Sequence, residues 1–485
     1  MKLENIWANL LDFVSRVGPS LAATTTFLPC GLAMGYIFVA LPNSDGVLQY
    51  GPLFVGLLFA FICAAGLFAT KFIYDHVVFW HFDVLLVAAF FNLLGGCFFF
   101  IHEFDIIGAY LVFAAHGATY VCSLSYLHIS SGKDTRTMYI SSCFAWYILG
   151  IAAGVAVIPD AFIATAEQSK ATSNLYLDFA FVFMACTIIV TIMLVFIRVL
   201  QEMGSVEYKT MVDDELRLLN QNGRIFEDRR SVIARVRDTK SFFYVTKNKQ
   251  WLVSFVLLVC EGVYSSLFTY FALWFSLNPA VKLSDGSTFD LIMWCALLGG
   301  VIGTVLMSFF TLKIIFVASV CTQIILLIIG VILGATIGNL VPFWIIAFLF
   351  GVMFPCIKIS IIETSAFRFS EILIFISYVI LLVPIGVINV YFVADSSNLF
   401  FYSLDRSTLA AHAFAFLIII SMLSIIVGLQ VPRLFKASLL EIQHRVLGII
   451  FTEHNIEQLN LGYLQSGIIP TKIENIETAD TASRL

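Results

Sequence analysis

The chain has 485 residues, of which 60% are hydrophobic and only 12% charged, with a mean hydropathy of +0.95. A soluble domain carries about 25% charged residues, so a soluble fold of this size is excluded, and most soluble enzyme classes with it. The 27 Lys and Arg nearly balance the 32 Asp and Glu, giving a net charge of −5, which excludes a basic surface for nucleic acid.

Residues 1–19 open the chain, with Ile6, Trp7, Leu10, Leu11 and Phe13 predicting a helix that lies on the membrane surface. A hydrocarbon core of about 30 Å takes ~20 apolar residues per helix. Runs of that length number twelve. Spans one to six are 20–41, 51–74, 82–101, 104–129, 138–158 and 176–199. Residues 200–249 then form the only long charged stretch, with ten Lys or Arg and eight Asp or Glu. Asp213, Asp214 and Glu215 suit a helix N-terminus there, and Arg229, Arg230, Arg235 and Arg237 suit later turns. Spans seven to twelve follow at 250–275, 288–311, 314–336, 340–362, 370–395 and 409–429, and a polar tail occupies 430–485. The chain therefore reads as an all-α, multi-pass membrane protein. Its two six-helix bundles, 20–199 and 250–429, are joined by a charged linker.

Cations set the orientation. Of the 27 Lys and Arg, only Lys170, Lys282 and Arg406 fall in the loops of one face, leaving 24 on or near the other. Both termini and the linker are expected in the cytoplasm. The ten cysteines all lie in apolar runs, without CxxC or CxxH spacing, so neither disulfides nor a zinc site is expected. No phosphate-binding glycine loop or convergent nucleophile is present, so no cofactor and no enzymatic activity are expected.

Six spans, a charged middle and six more spans, with both ends cytoplasmic, resemble the major facilitator superfamily. That resemblance implies an inverted 3+3 repeat in each half. Spans one, four, seven and ten would line a central cavity, and spans two, five, eight and eleven would join the halves. The loop after span two departs from the superfamily's Gly–Asp–Arg pattern: 65–80 reads AGLFATKFIYDHVVFW, with Lys71 and Asp75 but no Gly–Arg cluster. The loop after span eight keeps only Lys313. A narrower resemblance is to the uncoordinated-93-like branch of ion-channel regulators. Span four carries it in AAHGATYVCSLSYLHIS (114–130), through Ala114, Ala115, Tyr120, Tyr126 and Leu127, with Ser123-Leu124 replacing that branch's Gln-Gly pair. Span seven, CEGVYSSLFTYF (260–271), resembles it loosely.

An ionisable group at mid-bilayer costs about 2.5–3.5 kcal/mol, so each one calls for an explanation. Glu261 falls midway along span seven and His116 at similar depth in span four. In the superfamily arrangement the two face one cavity, where burial raises a carboxyl pKa and a nearby imidazole shares its proton. His116, Tyr120 and Ser123 share one helical face, as do Glu261, Tyr264, Ser265 and Phe268. Such polar-aromatic faces suit a small-molecule site. Each ionisable group also fits a plainer role as an interhelical hydrogen-bonding partner. Lys358 in span ten is explained by snorkelling or by a role in the cavity as a ligand or gate residue. Thr24, Thr25 and Thr26 either satisfy backbone groups or line the cavity. Gly150 and Gly154 in span five, with Gly299 and Gly303 in span eight, form GxxxG pairs on the predicted inter-bundle helices and are expected to make a smooth rocking surface.

Two functions compete. One is a secondary carrier for a small organic solute, working by alternating access in the lipid bilayer and coupled to protons. The other is a non-transporting regulator or trafficking companion of a membrane-protein partner.

Overall fold

The computed structural model describes residues 17–40, 60–66, 78–101, 104–131, 135–156, 169–202, 288–337, 341–363, 374–379 and 418–426, with Val14, Leu58, Val256, Val259, Cys260, Leu382, Gly428 and Leu429. Most of the surface helix expected at 1–19, nearly all of the linker, most of span seven and the tail lie outside the described residues.

Among the described residues all regular structure is helical. Hydrocarbon offers backbone N–H and C=O groups no partner, and a helix satisfies them within one segment. Span one is helical from residue 17, with a turn at Thr26 before Phe27–Ala40. Spans three to six are Val78–Phe99, Asp105–Ser130, Arg136–Ala156 and Ser169–Glu202. Spans eight to ten are Thr288–Phe309, Leu312–Ile337 and Val341–Glu363. Six of these, spans three to six, eight and nine, are long and apolar enough to cross a membrane. Span six runs 34 residues because its helix continues past the apolar window Phe179–Leu200 into the polar turn at Ser169.

Burial separates the helices by position. Span six turns Phe181, Ile188, Ile189, Ile192, Val195, Phe196 and Val199 outward, a surface suited to lipid, and buries Phe179, Phe183, Leu194 and Ile197 against its neighbours. Span four instead buries most of its length, polar residues included: His116, Thr119, Tyr120, Ser123 and Ser125. It is a central helix and span six a peripheral one.

Close helix crossings are made at glycine. In span five, Gly150 lies against the backbone of Leu28, Gly31 and Leu32, and Gly154 against Leu32 and Gly35. In span eight, Gly299 lies against the Phe348 carbonyl and Gly303 against Val352, while Gly351 of span ten returns the contact at Ala296. Gly117 of span four meets the backbone of Ala60 in span two in the same way. These are the pairings one–five, four–two and ten–eight. An inverted 3+3 repeat maps one–five onto four–two, and the correspondence of the two halves maps four–two onto ten–eight, so the glycines fit one crossing repeated through the molecule. Gly150, Gly154, Gly299 and Gly303 thus bind each half together internally, which corrects the expectation that they form the surface between halves. The GxxxG spacing was the same for either face; the face was decided by complementary glycines in spans one and ten.

Spans five and eight do pack on each other, through a different face. Gly300 lies beside Ala145 and Ile148, and the Ser141 and Thr304 hydroxyls meet at 2.8 Å. Thr304 donates its proton to the Gly300 carbonyl, so Ser141 donates to Thr304 across the seam.

A Cβ placed on Gly150 or Gly299 would overlap backbone carbonyl oxygen, whereas at Gly300 the nearest atom is 3.5 Å away. Gly150→Ala and Gly299→Ala are expected to destabilise the protein by ~3 kcal/mol or more. Gly300→Ala is expected to stay within ~0.5 kcal/mol. Thermal unfolding in detergent measures both.

Candidate functional site: a polar-aromatic seam at the centre

Span four brings His116, Tyr120 and Ser123 to one face because they lie at i, i+4 and i+7. All three are buried, and each reaches a different neighbour. Ser123 donates its hydroxyl proton to the Ala23 carbonyl of span one at 2.6 Å. Tyr120 Oη lies 3.3 Å from Ser377 Oγ of span eleven. Ser377 gives its own proton to the Ile374 carbonyl at 2.7 Å, so the Tyr120 phenol is the donor in that contact. His116 Nδ1 lies 2.6 Å from the Tyr378 hydroxyl, and which partner donates depends on the imidazole tautomer. Two hydrogen bonds therefore cross from the first half of the chain to the second, at mid-length of span four.

Rings pack around these bonds. Tyr378 lies 4.8 Å from Tyr120 and 5.4 Å from His116, centroid to centroid, tilted by 37° and 36°. Tyr147 of span five lies 5.9 Å from His116 and stacks on Phe354 of span ten at 6.5 Å. Phe144, also of span five, meets Phe354 edge-on at 5.5 Å, and Phe27 of span one meets Tyr120 at 5.6 Å. These spacings are those of favourable aromatic pairs, worth about 0.5–1.5 kcal/mol each beyond the area they bury. The cluster draws on spans one, four, five, ten and eleven, and so spans both halves.

Of the sequence-predicted site residues, His116, Tyr120 and Ser123 come together. Glu261, Tyr264 and Ser265 lie outside the described residues. Lys358 lies on the span ten helix, five residues before its end. The three threonines of span one resolve in favour of the backbone: Thr24, Thr25 and Thr26 each donate to the carbonyl three residues earlier, at 2.6–2.9 Å. Lys313 donates to the Leu429 carbonyl at the end of span twelve, tying the start of span nine to the last turn of its neighbour. Asp83 and Arg198 pair at 3.2 Å between spans three and six; both are partly exposed, so the pair contributes little.

Sequence reasoning missed Tyr378 and Ser377, and the rings Phe27, Phe144, Tyr147 and Phe354. A signal for the first pair existed, since Ser377-Tyr378 sits inside an apolar run. His128, near the end of span four, is fully buried, as is Arg136 at the start of span five.

Solved structures with the same fold are crystal structures of transporters. A single-site variant of the E. coli fucose:proton symporter FucP matches at a TM-score of 0.58 and 14% identity, covering 84% of this chain and 99% of that one. FucP in its outward conformation matches at 0.55 and 13% identity, with the same coverage. The proton:xylose symporter XylE, bound to 6-bromo-6-deoxy-D-glucose, matches at 0.62 and 13% identity, covering 89% of this chain and 99% of that one. No protein-family model and no curated protein sequence matches the chain. The fold is the one these major facilitator superfamily transporters share, and the chain is an integral membrane protein.

If His116 and Tyr378 hold the halves together, a double-mutant cycle of His116→Ala and Tyr378→Phe should give a coupling of about 1 kcal/mol in thermal unfolding. Additive effects would show that the two side chains do not act on each other.

Proposed function

We propose that the protein is a secondary transporter that moves a small organic solute across the bilayer by alternating access, with proton coupling through Glu261 and His116. The observation that carries this reading is the buried seam at mid-span, where an imidazole and two phenols join the two halves. A bundle that only needed to stay closed would be served by apolar packing. Hydrogen bonds that cross between halves can instead be exchanged for bonds to a solute, at little net cost, because protein–protein and protein–solute bonds are similar in strength. The His116 imidazole can also carry a proton or release it, which gives the seam a group able to bind the coupling ion. Glu261, on span seven, the counterpart of span one in the second half, would supply the second proton-binding group. The termini and linker would face the cytoplasm, as the cation asymmetry implies.

A second reading is favoured by the loop after span two, which lacks the superfamily's Gly–Arg cluster. It makes the protein a non-transporting regulator of a membrane-protein partner, like the uncoordinated-93-like branch that span four resembles. Here the seam would be a permanent brace.

Reconstituted vesicles separate the two readings. The transporter reading predicts solute uptake that rises with an imposed pH gradient, and a loss of that gradient dependence of at least ten-fold in Glu261→Gln and in His116→Ala. The regulator reading predicts no uptake of any solute and a partner that co-purifies in detergent. Uptake that ignores both the gradient and these substitutions would contradict proton coupling through the two residues.

A further inference from the structure

We propose that the central site takes a flat, ring-bearing solute with one hydroxyl-type group, a phenol by chemical class, rather than a polyhydroxylated sugar. The inference rests on the transporter reading above and names its substrate class.

Its starting point is what already fills the centre. The phenol of Tyr378 lies between Tyr120 and His116, at 4.8 and 5.4 Å, with its hydroxyl on His116 Nδ1 at 2.6 Å. Tyr378 is fully buried there. Span eleven belongs to the second half, and His116, Tyr120 and Tyr147 to the first. When the halves part, the resident phenol leaves with span eleven, and the face it vacates has the shape and the hydrogen-bonding group for another phenol. Tyr378 thus acts as a built-in occupant that competes with solute and closes the site in its absence.

The supply of hydrogen-bonding groups points the same way. A sugar presents a hydroxyl at nearly every carbon, and each one taken from water needs a partner. Among the described residues, five hydroxyls of spans one, four and eleven are already committed. Ser123 bonds the Ala23 carbonyl, Ser377 bonds Ile374, and Thr24, Thr25 and Thr26 bond their own helix. These bonds lie within one half and survive separation of the halves. Among the described residues, the bonds that open beside the rings are those of His116 with Tyr378 and of Tyr120 with Ser377, while Ser141 with Thr304 opens between spans five and eight. Two such groups suit a solute with one polar end. The remaining contacts are rings, Phe27, Phe144, Tyr147 and Phe354, which favour a second ring stacked or set edge-on.

Calorimetric titration of the purified full chain in detergent with p-cresol, toluene and D-xylose tests this. Wild type is expected to bind p-cresol at least ten-fold more tightly than toluene and to show no heat with D-xylose. His116→Ala should reduce p-cresol to the toluene level. Tyr378→Phe, which deprives the resident ring of its hydroxyl, should tighten p-cresol about five-fold. If His116→Ala fails to fold, His116→Phe keeps a ring and removes the nitrogen, and the same loss is expected. Tighter binding of D-xylose than of p-cresol, or a p-cresol preference indifferent to position 116, overturns the proposal. Binding of p-cresol through His116 with no solute uptake in vesicles would overturn the transporter reading and uphold this one. Uptake of a solute without His116-dependent phenol binding would overturn this inference alone.

Discussion

Lipid chains are as apolar as leucine, so helices in a bilayer gain little from burying apolar surface against one another, and close backbone contact must hold them together. In this protein that contact is made by glycine. Gly150 on Leu28 and Gly31, Gly117 on Ala60, and Gly299 and Gly351 across spans eight and ten bring main chains to distances that no side chain would permit. Each crossing lies inside one half. The halves are thereby made stiff, and the surface between them is left to residues of another kind.

That surface is the polar-aromatic seam. His116 and Tyr120 reach Tyr378 and Ser377, Ser141 reaches Thr304, and Tyr147 lies flat on Phe354. Glycine crossings cannot be exchanged without unpacking the backbone, whereas hydroxyl, imidazole and ring contacts can be remade with a solute. The division of labour fits the proposal of two rigid bundles that separate along one face. The resident phenol of Tyr378 adds a specific constraint: whatever enters the centre must displace it.

Much of this was legible in the sequence for a simple reason: the bilayer fixes span length, and apolar runs of ~20 residues are hard to mistake. The described boundaries fall within a few residues of the predicted ones, with span six longer because its polar N-terminal turns continue the helix. The inward face of span four was legible too, since His116, Tyr120 and Ser123 keep helical spacing. What the sequence did not reveal were the partners. Periodicity tells which residues share a face but not what lies opposite, so Tyr378 went unseen, and the GxxxG pairs were assigned to the wrong neighbour. Gly31, Gly35 and Gly351 were visible as residues, but only the packing shows that they complete those crossings. His128 and Arg136 show the same limit: both lie near span ends in the sequence, and only the packing shows that both are buried.

The central claim is that the seam between the bundles opens. It is tested most directly by placing one thiol in it, Ser377→Cys in a chain with its native cysteines replaced, and measuring modification by a water-soluble, membrane-impermeant reagent applied to each side of sealed vesicles in turn. The account predicts that the thiol is modified from both sides, each at its own rate, because position 377 is reached from alternate faces as the halves part. A thiol that stays unmodified from both sides, and reacts only after denaturation, would show a seam that never opens and contradict the account.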